Sequence, residues 1–171
     1  MLTIAAPTPD VALTMPHTDA PVVLDVHSPG FEDGQPIPAI NSAYAEDIAP
    51  EIIWEHIPEG TQSIALLCED PDAHQAKPFV HWLLYNIAPD ARSTRAAVEA
   101  QIGTNSKGQT GYYGPCPPAG DPPHHYHFQV FALNTSLPLP NGAESQIFLE
   151  AIAGRVLAKG ELVGTFAAPP S

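Results

Sequence analysis

Proline most constrains how this chain can fold: it occurs 21 times, from Pro7 to Pro170, without ever gathering into a low-complexity block. Each proline removes a backbone donor and breaks a helix interior, so few intervals can hold a long helix. The 12 glycines are scattered in the same way, which favours many short strands joined by turns. At 171 residues and 44% hydrophobic content, the chain is long and apolar enough for one sizeable core.

The apolar runs between the prolines alternate as strands do. Residues 61–70 put Ile64, Leu66, Cys68 and Asp70 on one face and the apolar Ala65 and Leu67 on the other, which predicts a strand buried on both sides. Residues 79–87 read as a strand with Phe79, His81, Leu83, Tyr85 and Ile87 on one face and Val80, Trp82 and Leu84 on the other. A third strand over 126–134 sends Tyr126, Phe128, Val130 and Ala132 to one side, with His124 in the same parity just ahead of it. Residues 22–26 and 161–166 are the first and last strands, and Trp54 is an anchor at a core edge.

Helices are expected in two places. Residues 90–100 suit a short one. Residues 142–159 suit a longer one, capped by Asn141 with Glu144 reaching back, carrying Ile147, Ala151, Ile152 and Val156 on its apolar face. Arg155 and Lys159 would complement its negative end and Gly160 would terminate it. Residues 1–21 read as a loosely ordered arm and 22–171 as a single domain, with no repeat and no linker.

The net charge of −13 sets 19 acidic residues against Lys77, Arg92, Arg95, Lys107, Arg155 and Lys159. Nucleic-acid binding is excluded, because phosphate neutralisation needs clustered cations. Attraction to an anionic membrane surface is disfavoured for the same reason. No apolar run has the length of a membrane span, and residues 1–20 lack a basic start and an apolar core, so the expected compartment is the cytoplasm. Cys68 and Cys116 form no metal knuckle or disulfide framework; Cys68 reads as a small buried hydrophobe.

Chemistry gathers at two stretches, Asp70-Pro71-Asp72-Ala73 and Gly111 to Pro118 followed by His124-His125-Tyr126. Asp70 ends a buried strand, so its carboxylate must be hydrogen-bonded, paired or protonated. Either it caps the backbone ahead of Pro71 in an Asx turn, or it belongs to a site. Two carboxylates, two histidines and a tyrosine are also the means of acid–base catalysis, and Cys116 with His124 is a conceivable nucleophile pair. No Gly-x-Ser-x-Gly elbow, P-loop or dinucleotide fingerprint accompanies them. A metal set of His124, His125 and His127 with Asp121 is disfavoured, since strand alternation separates His124 from the other two and the spacing matches no zinc signature.

The order of Asp70-Pro71-Asp72-Ala73, His81 in an aromatic strand, Gly111-x-x-Gly114-Pro115-Cys116-Pro117-Pro118 and His124-x-Tyr126 resembles the phosphatidylethanolamine-binding protein family. The closing run from Val156 to Thr165 is similar to its bacterial, Raf-kinase-inhibitor-like branch, and the resemblance spans residues 22–167. It implies a mostly β, antiparallel sandwich-like core with a few peripheral helices, a small anion-binding pocket at one end, and a homodimer. By position, the pocket would be lined by Asp70, Asp72, Phe79, His81, Gly114, Pro117, Pro118, His124 and Tyr126, with no catalytic residue, metal or cofactor. The implied function is a binding module for a phosphate, phosphoryl or carboxylate group that regulates a partner kinase or protease by inhibition; a small enzyme is the alternative.

Three departures stand out: His74 where the family has proline, His125 where it has arginine, and Asp121-Pro122-Pro123 in the loop before His124. None of these pocket positions is an arginine or lysine. The expected donors are therefore imidazoles, the Tyr126 hydroxyl and backbone amides of the glycine loop, with Asp70 raising the pKa of His81 or His124. Phosphate-like anions would then bind better below about pH 6.5.

Overall fold

The computed structural model describes residues 8–170. Along them run strands β1 (Val22–Val23), β2 (Asp25–His27), β3 (Ile53–Glu55), β4 (Ser63–Asp70), β5 (Phe79–Ile87), β6 (Gln101–Ile102), β7 (His124–Leu133) and β8 (Val156–Phe166). The helix α1 (Ser145–Ile152) lies between β7 and β8. The run that is apolar on both sides takes the middle of the main sheet, whose order is β1-β8-β7-β4-β5-β6, while β2 and β3 pair in a separate ribbon. Only the β1–β8 pairing is parallel, so the main sheet is mixed.

All eight residues of β4 are buried. Ile64, Leu66 and Cys68 pack with Phe128, Val130 and Trp82 beneath the β2–β3 ribbon, whose Trp54 is fully enclosed and donates its indole N–H to the Ala91 carbonyl at 2.9 Å. Ala65 and Leu67 face the opposite way, toward Phe131 and the α1 residues Phe148 and Ile152. Truncating a leucine so enclosed costs about 2–5 kcal/mol, which is why this strand holds the two layers together. No described helix is long and apolar enough to cross a membrane.

The long helix expected over 142–159 is a correction. Only Ser145–Ile152 is helical; Asn141 accepts from the Ile102 amide instead of capping, and Ile147 is half exposed while Phe148 and Ile152 are buried. Gly154, at φ 72°, turns the chain out of the helix, and the β-branched Val156 opens β8. Gly160 lies mid-strand, where a Cβ would come 2.2 Å from the Leu24 carbonyl oxygen. That close approach lets the chain step at Leu24 from β1 in the main sheet to β2 in the ribbon, so residues 22–26 are two strands and not one. Residues 90–100 hold only a short 3₁₀ turn at Thr94–Ala96.

The faces of β5 are the second correction. Two bulges interrupt its pairing with β4, since Ile64 and Leu66 sit opposite Ile87 and Leu84, and Cys68 and Glu69 opposite Trp82 and Val80. Strict alternation therefore fails: Val80, Leu83 and Tyr85 face α1, Trp82, Leu84 and Ile87 face the ribbon, and His81 is the extra residue.

Residues 1–7 of the expected arm lie outside the described residues. The part from Val11 onward rests on the sheet: the Ala12 amide donates to Glu69 Oε1 at 2.8 Å, and the Leu13 amide to Gln129 Oε1 at 2.7 Å.

Candidate functional site

Antiparallel pairing brings the end of β4, the start of β5 and the start of β7 to one edge of the sheet. Asp70 lies opposite Phe79, and Glu69 lies opposite His127, so Asp70, Phe79, His124 and Tyr126 project from the same face. Asp70 fills both roles open to it. Its Oδ1 accepts from the Asp72 amide at 2.7 Å, making the Asx turn before Pro71, and its Oδ2 holds His124 Nδ1 at 2.7 Å.

His124 is held from both ends, because its Nε2 lies 2.8 Å from Asp121 Oδ2. Burial works against charging this ring, but the Asp121 and Asp70 carboxylates outweigh it and hold the His124 pKa above the ordinary 6.5. Burial pushes the Asp70 carboxyl up, His124 opposing it, and the two histidines His124 and His74 pull Asp121 down. A His124 imidazolium between two carboxylates leaves this part of the site negative overall.

His81 differs. Its Nδ1 donates to the Tyr113 carbonyl at 2.6 Å, its ring lies parallel to the Tyr113 ring at 5.8 Å, and it meets Tyr126 edge-on at 5.1 Å. Burial lowers its pKa to about 4, so the ring is neutral near pH 7 and Nε2 carries the lone pair. Asp70 therefore holds His124 and not His81. Burial, reinforced by the Asp70 charge, pushes the Tyr126 hydroxyl well up and keeps it protonated.

These rings border a cavity of about 280 Å³ that is also walled by Phe79, Pro117 and Pro118. Asp70 stands behind His124. Asp72 faces the neighbouring hollow, where its Oδ2 accepts from the His125 amide and Nδ1, both at 2.8 Å. Gly114 offers no amide to a ligand, since its N–H donates to Asp47 Oδ1 at 2.7 Å. A Cβ there would sit 2.3 Å from the Asn41 carbonyl oxygen, so its position is one of tight packing.

Six lining residues lie outside the expected set: Ala73, His74, Gln75, Lys107, Tyr113 and Cys116. Lys107 corrects the expectation that the pocket has no lysine; its Nζ lies 5.3 Å from the Tyr113 ring centroid. Tyr113 was signalled by its place inside the Gly111–Pro118 motif, whereas Lys107 sits in a turn-rich loop with no periodicity to place it. The histidine set weighed for a metal is split, because His125 goes to Asp72 and His127 Nδ1 to Glu161 Oε2 at 3.0 Å. Both cysteines are free, Cys68 buried and Cys116 exposed.

A mixed β-sheet is backed by a ribbon on one face and a short helix on the other, with an imidazole- and tyrosine-lined cavity at its strand ends; this is a mostly β protein with a cavity at one end of its sheet. The chain belongs to the phosphatidylethanolamine-binding protein family, whose model matches residues 27–167. A Mycobacterium tuberculosis relative, named as a candidate lipoprotein, LppC, is 41% identical over 154 residues, which is 87% of this chain and 76% of that one. Among solved structures, the phosphatidylethanolamine-binding protein homologue CT736 of Chlamydia trachomatis superposes with a TM-score of 0.80 at 32% identity, covering 86% of this chain and 99% of that one. Escherichia coli YbcL, described as a member of the mammalian family, gives 0.79 at 26% identity over 85% of this chain and 99% of that one.

Proposed function

We infer that the protein is a binding module for a small phosphate, phosphoryl or carboxylate group, held in the cavity between His81, Tyr126 and Lys107. The observation that carries this reading is the meeting of the Lys107 ammonium, the protonated Tyr126 phenol and the neutral His81 imidazole on walls of Phe79, Pro117 and Pro118. Lys107 and the Tyr126 hydroxyl serve anionic oxygens. His81 Nε2 accepts, so it selects a ligand that also has a proton to give, as a phosphomonoester does. The charge that attracts the anion belongs to Lys107, because the His124 imidazolium is already offset by Asp70 and Asp121. This moves the expected pH dependence away from the imidazoles.

Catalysis is the weaker reading. Both His124 nitrogens are engaged by carboxylates, so His124 is not free to activate Cys116 as its base. The family resemblance extends the binding reading to inhibition of a partner kinase or protease by a cytoplasmic homodimer. Sedimentation equilibrium tests the dimer, and a monomeric mass overturns it.

Calorimetric titration of inorganic phosphate into the protein near pH 7 tests the pocket. Lys107→Met and Tyr126→Phe are each expected to weaken binding about tenfold, the equivalent of 1.4 kcal/mol. Unchanged affinity in both variants, or no binding at millimolar phosphate, overturns the reading.

A further inference from the structure

Asp121 and His124 lie three residues apart and His74 comes from the distant loop after β4, yet the ligand atoms of all three converge. Nε2 of His74 and Nε2 of His124 lie 2.7 and 2.8 Å from the same Asp121 oxygen, Oδ2, and all three atoms fall within 4.8 Å of one another. A single carboxylate oxygen accepting from two imidazoles accounts for the distances alone. The surroundings ask for more.

His124 has its other nitrogen on Asp70, whose side chain is only 4% exposed. A carboxylate that grips one histidine nitrogen and sends the other forward is the outer-shell arrangement that orients metal-ligating histidines. Asp70 and Asp121 together outweigh the charge His124 can carry, so the local field favours a cation. Two imidazoles and one carboxylate are the ligand types of zinc-like ions, and too few hard oxygens are present for calcium or magnesium.

The geometry points to a divalent transition-metal site made by His74 Nε2, Asp121 Oδ2 and His124 Nε2, oriented by Asp70, with its remaining coordination position open to the cavity. Both histidines line that cavity. A tetrahedral ion with bonds of about 2.1 Å holds its ligand atoms about 3.4 Å apart, so each Asp121–histidine pair must widen by about 0.6 Å. His74, whose side chain is 71% exposed, can supply the movement in one pair, and the Asp121 side chain, 23% exposed in its loop, the movement away from the fixed His124 in the other. The ion takes the place of the protons now shared with Asp121, so binding releases protons and tightens as pH rises. The site stands apart from the anion reading, since it rests on other residues and takes a cation.

Protein purified without an affinity tag and stripped with chelator is titrated with Co²⁺ followed by optical absorption, and then with Zn²⁺ in competition. The expected result is a single Co²⁺ per chain with the visible bands of a tetrahedral nitrogen–oxygen site, displaced by Zn²⁺. Affinity falls at least about tenfold in His74→Ala and in Asp121→Asn, both of which alter a loop outside the core, and stays unchanged in His125→Ala and His127→Ala. Absence of saturable Co²⁺ binding overturns the proposal. So does full affinity in His74→Ala, which would place the ion on other histidines. Neither readout depends on whether phosphate binds.

Discussion

Asp70 Oδ2 and His124 Nδ1 meet at 2.7 Å with 4% and 5% of their side chains exposed, and this bond ties the end of β4 to the start of β7. The same carboxylate also closes the Asx turn through Oδ1. Asparagine can keep the turn but has only one oxygen, so Asp70→Asn forfeits the bond to His124 and is expected to cost about 1–3 kcal/mol. Asp70→Ala loses the Asx turn as well and leaves the buried Nδ1 of His124 without a partner, with Asp121 alone beside the ring, and is expected to cost about 3–5 kcal/mol. Urea unfolding near pH 7 checks the order, and an alanine variant as stable as the parent would refute it.

His81 makes stability depend on pH. Its folded pKa of about 4 lies below the 6.5 of an exposed ring, so between those values the unfolded chain binds a proton that the folded protein refuses. This contribution to stability is present above pH 6.5 and is lost as pH falls toward 4. At 1.36 kcal/mol per pH unit, the loss is about 3 kcal/mol. His81→Asn retains a donor for the Tyr113 carbonyl without the titration, so its stability profile between pH 7 and 4 is expected to be flatter than the parent's. Parallel profiles would contradict the assignment.

Gly114 is expected to tolerate no side chain. A Cβ would come 2.3 Å from the Asn41 carbonyl oxygen and 2.5 Å from Asp47 Oδ1, the acceptor of its own amide. Gly114→Ala is therefore expected to destabilise by about 1–3 kcal/mol, through overpacking and the strained hydrogen bond. Thermal unfolding measures it, and a neutral effect would mean that the 41–47 segment yields freely.

Glu69 carries a buried charge on the other face of the sheet. Burial raises its pKa, while Gln129 and the Ala12 amide oppose the shift through their hydrogen bonds. A raised carboxyl favours the folded state at low pH, and that advantage is lost as pH rises from the ordinary 4.5 through the folded value. Glu69→Gln keeps an acceptor for Ala12 without the charge. It is expected to match or exceed the parent at pH 7 and to show no gain at pH 4, as urea midpoints at the two pH values would reveal. A loss of more than about 3 kcal/mol at pH 7 would show that the charge itself is needed.

The β4 and β7 faces were legible because a regular ladder with one period governs them, and His124 shares the parity of Tyr126 as its sequence position implies. The faces of β5 were not, because a bulge is a two-strand property that no single-strand period contains. The over-long helix had a comparable cause: Val156 and Lys159 satisfy a helical spacing, and only Gly154 announced the break. Asp70 was legible as a carboxylate in need of partners. Asp121 at the far end of His124, with His74 joined to it, was not, since the loop between Pro118 and His124 carries no period and His74 arrives there from 47 residues away. Lys107 escaped for the same reason.

Deleting residue 81 would leave Val80 and Trp82 as neighbours on opposite faces, and β4 and β5 would pair there without interruption. The sheet is complete without His81. A single extra letter in β5 thus places an imidazole beside Tyr126 and lends its carbonyl to the Tyr113 amide, 2.9 Å away, which fastens the loop over the cavity. The sheet and this corner of the cavity are in that sense separable: an in-frame change of one codon removes the imidazole and the carbonyl that fastens the loop, while the packed side chains beneath stay as they are.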